Sequence, residues 1–212
     1  MVIINSAHNL GNLYSDQGRL PEAEAMLQRT LQGKEKALGP DHPSTLDTVN
    51  NLGNLYSNQS RLPEAEAMLQ RALQGKEKAL GPDHTSTLVT VNNLGILYRA
   101  QGRLPEAEAM YQRALQGYKK ALGPDHTSTL DTVNNLGNLY SNQGRLPEAE
   151  TMLQRALQGY EKALGPDHTS TLDTVYNLGN LYSNQGRLPE AEAMYQRALQ
   201  GKENNNLGSL YS

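Results

Sequence analysis

Gly11, Gly53, Gly95, Gly137 and Gly179 stand 42 residues apart, and Tyr14, Tyr56, Tyr98, Tyr140 and Tyr182 keep the same interval. So do Pro21, Pro63, Pro105, Pro147 and Pro189. A strict period of this length describes a stack of small supersecondary units, none of which can bury its apolar face alone. The 212 residues hold about five units, approximately 1–42, 43–84, 85–126, 127–168 and 169–203. These form one repeat array over 1–203, and 204–212 reads as the truncated start of a further repeat or an irregular tail.

Each unit reads as two helices, which makes the fold all-α, a solenoid. In the second unit Leu46, Val49, Leu52, Gly53 and Tyr56 recur at steps of three and four, so an amphipathic helix is predicted over roughly 44 to 58. We call this the A-type helix. A B-type helix is predicted from near Leu62, with Pro63 in its first turn, where a missing N–H costs little. Glu64 and Glu66 suit its positive end, Lys76 and Lys78 its negative end. Gly81 and Pro82 close the unit, and Asp83, His84 or Ser86 can cap the next A-type helix. Gly53 and Ala65 allow the two helices to approach closely.

Composition excludes several function classes. There is no cysteine, hence no disulfide, thiolate site or cysteine nucleophile. That fits a reducing compartment, and a cytoplasmic location is expected. A net charge of -3 carries no nucleic-acid or membrane footprint. The histidines at 42, 84, 126 and 168 recur one per unit, too far apart to converge on one ion. No metal, no cofactor and no catalytic residue is expected, because a triad is a unique constellation and not a motif repeated in every unit.

Leu52-Gly53, Tyr56, Ala65, Leu69 and Ala72 resemble the tetratricopeptide pattern. The 42-residue length, with "GPDHP" followed by "NNLGNLY", resembles the kinesin light chain subtype, and the near-identity of the copies is similar to repeat domains of fungal nucleotide-binding receptor proteins. The resemblance implies an α-α superhelix of about five helix-turn-helix repeats whose A-type helices line a concave groove, possessing no enzymatic activity.

The third unit departs from "LDTVNNLGNLYSN" at Val89, Ile96, Arg99 and Ala100. At roughly 100° per residue Val89, Ile96 and Ala100 fall within about 40° of one another, with Arg99 about 80° aside. Asn92 shares that face, as does Tyr176, an asparagine in the second, third and fourth units. Two readings stand: diversification for a ligand, or drift at exposed positions. Against drift, Glu64, Glu66, Gln70 and Arg71 also look exposed yet never vary; for drift, position 76 does vary, as Tyr118 and Tyr160.

With Asn12, the face offers Asp47, Asn50, Asn54 and Asn58, then Asp131, Asn134, Asn138 and Asn142, then Asp173, Asn180 and Asn184. An asparagine amide pairs a donor with an acceptor, as a peptide backbone does. The expectation is a protein-interaction scaffold holding an extended peptide or partner segment, a sensing portion of a larger receptor being one setting. Asp47, Asp131 and Asp173 point to a neutral or basic ligand. The alternatives are a structural module that self-associates through uncapped ends, and a kinesin light chain-like cargo adaptor.

Overall fold

The computed structural model describes residues 9–11, 13–15 and 17–210, and side chains as far as 205. After helical residues 9–11 and 13–15, nine helices follow among the described residues. They are α1 (Leu20–Leu38), α2 (Pro43–Asn58), α3 (Leu62–Leu80), α4 (Thr85–Ala100), α5 (Leu104–Leu122), α6 (Thr127–Asn142), α7 (Leu146–Leu164), α8 (Thr169–Asn184) and α9 (Leu188–Leu210). Even-numbered helices are A-type, odd-numbered ones B-type. Residues 204–210 continue α9 as helix. The chain forms two compact units, Met1–Arg113 and Ala114–Ser212.

The helix ends follow local chemistry. Nδ1 of His42 accepts from the Ser44 N–H at 3.2 Å, and His84 does the same for Ser86 at 3.1 Å, so the recurring histidines are N-caps. Gly81, at φ 96°, ends α3 in a conformation that L side chains avoid.

In the first unit the core is Leu and Ala from successive helices. Leu46, Val49, Leu52 and Leu55 of α2 face Ala65, Leu69 and Ala72 of α3, all at or below 1% exposure. Each buried leucine contributes about 2 kcal/mol. Gly53 sets the approach, because a Cβ there would stand 2.7 Å from Leu69 Cγ. The second unit repeats the scheme, with Leu130, Val133, Ala156 and Tyr160 forming a buried cluster.

Tyr56, Tyr98 and Tyr182 are core residues whose hydroxyls each accept from a glutamine of the preceding B-type helix. Tyr56 is 8% exposed and its hydroxyl accepts from Gln28 Nε2 at 3.2 Å. The Arg61 guanidinium lies 4.1 Å above its ring.

Candidate functional site

The asparagines of the A-type helices do not form one free face. Asn93 Nδ2 in α4 donates to Asn50 Oδ1 in α2 at 3.1 Å, and Asn50 is 4% exposed. In the second unit Asn177 Nδ2 and Thr174 Oγ1 both donate to Asn134 Oδ1, each at 3.3 Å. Asn50 and Asn134 were expected to present amides to a guest chain. They turn instead toward the following A-type helix and tie repeats together. A helical wheel resolves a face but not whether that face meets a ligand or the next helix. Asn92 is half-buried, and Asn12 lies outside the described residues.

The aspartates behind the expected sign of the ligand also have partners within the fold. Lys76 is 1% exposed, and its ammonium lies 2.8 Å from Asp47 Oδ1 while donating to the Ser86 carbonyl at 3.2 Å. Ser86 Oγ adds a hydrogen bond to Asp47 at 3.2 Å. Burial pushes the Lys34 ammonium below its ordinary value, while the Asp47 charge pulls the other way. Asp173 sits 3.5 Å from Lys202, and Asp131 accepts from the Tyr160 hydroxyl. Each of these carboxylates has a partner within the fold, yet Asp131 and Asp173 are exposed and Asp47 is half-buried, so all three still reach the surface. Position 76 is no exposed site free to drift; it is a buried stacking position.

The remaining expected residues do reach the surface. Val89, Ile96, Ala100, Tyr176, Asn58, Asn142 and Asn184 are exposed. Asn54, Asn138, Asn180 and Arg99 are half-buried, and Asn180 Oδ1 accepts from the Tyr195 hydroxyl at 2.9 Å.

The unvarying polar residues of the B-type helices have a structural cause. Arg103 Nη1 donates to Glu66 at 2.9 Å across a separation of 37 residues, Gln70 Nε2 donates to the Tyr98 hydroxyl at 3.4 Å, and Arg71 pairs with Glu35 at 2.6 Å. Burial pushes Glu66 up, but hydrogen bonds from Gln101 and Arg103 outweigh it and hold the carboxyl below its usual range. These contacts recur with the period, Arg61 on Glu24 at 3.0 Å and Arg187 on Glu150 at 2.8 Å. Their invariance says nothing against drift elsewhere. Complementary charges recurring about one period apart were the sequence signal for them.

No three His, Cys, Asp or Glu side chains among the described residues could hold a metal, and no helix there is long and apolar enough to cross a membrane.

A family model described as "Tetratricopeptide repeat" matches residues 2–78, 47–120, 86–162 and 128–204. The chain belongs to the tetratricopeptide repeat family. No curated protein matches it. Among solved structures, this tetratricopeptide array is similar to the nearly identical TPR-like repeats of a kinesin light chain candidate from Podosopora anserina, in the Q17M form. There the identity is 25%, the TM-score 0.75, and 96% of each chain is covered. BtubC (BKLC) from P. vanneervenii shares 23% identity at a TM-score of 0.78, over 97% of this chain and 82% of that one. The Rap conjugation gene regulator of plasmid pLS20, solved with the Phr* peptide, shares 16% identity at a TM-score of 0.81. It covers 97% of the tetratricopeptide chain, which spans 55% of the regulator. The array is thus of the kinesin light chain type, a helical solenoid of a class that generally serves as a non-enzymatic scaffold for protein interactions.

Proposed function

We propose that the chain is a non-catalytic scaffold that binds an extended peptide or partner segment across the exposed face of its A-type helices. One setting is the sensing part of a larger receptor. The observation that carries this reading is where the large apolar exposures fall. On α2, α4, α6 and α8 the exposed large apolar side chains among the described residues are Val89 at 42%, Ile96 at 37% and Tyr176 at 50%. All three are departures from the repeat, placed where the other copies carry Asp or Asn, apart from His8 at the Tyr176 position of the first unit. Contiguous exposed apolar patches rimmed by polar residues mark contact surfaces. A regulator of the same fold, solved in complex with a peptide, supports the mode. Asn58, Asn142 and Asn184 then supply polar contacts to the guest backbone.

The test is site-specific photo-crosslinking in cell extract from positions 58, 100 and 142 on A-type helices, against positions 64 and 112 on B-type helices. Partner capture confined to the A-type positions is expected. Equal capture from both sets sinks the assignment to this face.

A second reading, self-association, has its own observation. Leu188 is 64% and Leu199 60% exposed on α9, and Leu199 lines a cavity of about 440 Å³ with Tyr176, Tyr195, Ala198 and Lys202. Sedimentation across a concentration series separates the two: a mass that stays that of one chain removes this reading and leaves the first standing.

A further inference from the structure

Repeat joins repeat through three polar contacts of fixed spacing. In the first unit Glu24 and Glu66 take Arg61 and Arg103, 37 residues on, at 3.0 and 2.9 Å. Gln28 and Gln70 donate to the hydroxyls of Tyr56 and Tyr98, 28 residues on. Glu35 and Glu77 take Arg71 and Arg113, 36 residues on, at 2.6 and 2.5 Å. The second unit repeats all three, with Arg187 on Glu150, Gln154 on Tyr182 and Arg197 on Glu161. In every case the B-type helix of one repeat supplies the glutamates and the glutamine, and the next repeat supplies the arginines and the tyrosine.

Each unit also holds one half of such a joint with no counterpart among the described residues. On α9 the glutamate and glutamine positions are Glu192, Gln196 and Glu203. Glu192 accepts only from Gln196 of its own helix, and Glu203 has no partner. Both are exposed, where Glu66, Glu150, Glu77 and Glu161 are half-buried. In the first unit the arginine and tyrosine positions are Arg19, Tyr14 and Arg29. The only carboxylate that Arg19 reaches is Glu22, in the next turn of chain, and Arg29 is exposed without a partner.

Apolar exposure gathers at the same two places. Leu10 is 37% and Leu13 50% exposed, where Leu52 and Leu55 of α2 are each 1%. The leucines of α2 are covered from two sides, because that helix packs against both α1 and α3. On α9, Leu188 and Leu199 are 64% and 60% exposed, where Leu62, Leu146, Leu73 and Leu157 are half-buried. Two apolar faces edged by unpaired charges of opposite sign are complementary to one another.

We propose that copies of this chain associate head to tail, the α9 face of one seating the first repeat of a second as though it were the next repeat of the array. The assignment names the contact behind the self-association reading above and rests on that reading. With residue 1 of the second copy following residue 210 of the first, Arg19 falls 37 residues beyond Glu192, Tyr14 28 beyond Gln196 and Arg29 36 beyond Glu203. These are the spacings of the internal joints. The leucines of both faces are covered in the same step. Such a contact is heterologous: each copy added leaves one face of each kind open, so the assembly grows beyond a dimer or closes into a ring. Exposed ion pairs contribute little to affinity, which falls to the leucines, whereas like charges set opposite one another oppose contact. Charge reversal therefore reads the register.

The experiment is sedimentation of three proteins across a concentration series. They are the chain itself, a form carrying Glu192→Arg and Glu203→Arg, and a form carrying Arg19→Glu and Arg29→Glu. The chain is expected to exceed the mass of one copy as concentration rises, and each variant alone to need at least about a tenfold higher concentration to do so. An equal mixture of the two variants is expected to regain the association, because every face then meets its opposite charge. Glu203→Arg and Arg29→Glu as single changes alter exposed side chains that have no partner in the fold, so this pair repeats the comparison with the folded monomer undisturbed. A chain that keeps the mass of one copy throughout overturns both this assignment and the self-association reading. Association that survives charge reversal in the separate variants, or that is lost and not regained on mixing, overturns the head-to-tail joint and leaves self-association through another face.

Discussion

Asn93 Nδ2 in α4 donates to Asn50 Oδ1 in α2 at 3.1 Å, joining two helices whose residues are 43 apart in sequence. With Asn50 4% exposed, this bond is shielded from water. Asn50→Ala is expected to lower stability by about 1–2 kcal/mol, because it strands the Asn93 amide. Urea denaturation of the single and double alanine variants measures the coupling. Strict additivity of Asn50→Ala and Asn93→Ala would show that the pair contributes nothing jointly.

The Tyr111 hydroxyl is buried with no hydrogen-bond partner among the described residues, and burial pushes its pKa up to about 12. Ile96→Asn is expected to restore the bond that Asn180 gives Tyr195 and to stabilise the chain by about 1 kcal/mol. Tyr111→Phe should be neutral or slightly stabilising, since it removes an unsatisfied group. Thermal melts of both variants decide; a loss of stability in each would mean that the hydroxyl has a partner in solution.

Ser60 holds φ at 60°, where the sibling copies place a glycine such as Gly102 at φ 74°. A left-handed conformation costs an L residue about 1–2 kcal/mol. Ser60→Gly should therefore raise the denaturation midpoint, with a gain nearer 1 than 2 kcal/mol because glycine also loosens the unfolded chain. An unchanged midpoint would count against strain at this turn.

Burial pushes Glu24 and Glu66 up, but hydrogen bonds from Arg61 and Gln59, and from Gln101 and Arg103, hold both carboxyls below their ordinary values. A carboxyl depressed in the folded state adds stability above its unfolded pKa, about 4.3 for glutamate. That contribution is lost as pH falls through this value toward the lower folded pKa. Stability is thus expected to drop below about pH 4.3, and Glu66→Gln should flatten part of the drop. Parallel pH profiles of the two proteins would refute the assignment.

Much of the fold was legible because it is local. The 42-residue period, the stripe of Leu46, Val49, Leu52 and Tyr56, and the stop at Gly81 are set by spacing and backbone preference. The A-type helix predicted over roughly 44 to 58 is observed as Pro43–Asn58, and the B-type helix begins at Leu62 as expected. The tetratricopeptide pattern was equally plain, since it is written in those same residues.

The candidate site was only half legible. The solvent-facing departures Val89, Ile96 and Tyr176 could be found by aligning the copies, because a change to an apolar residue at an otherwise polar position is visible without coordinates. The roles of Asn50, Asp47, Lys76 and Glu66 could not. Each is fixed by a partner in a neighbouring helix or repeat, and helix periodicity gives the direction of a side chain without saying what stands opposite it. The sequence by itself determined the helices and their repeat; the stacking of those helices decided which polar groups are joints and which remain to meet a partner, because a hydrogen bond depends on distance in space and not along the chain.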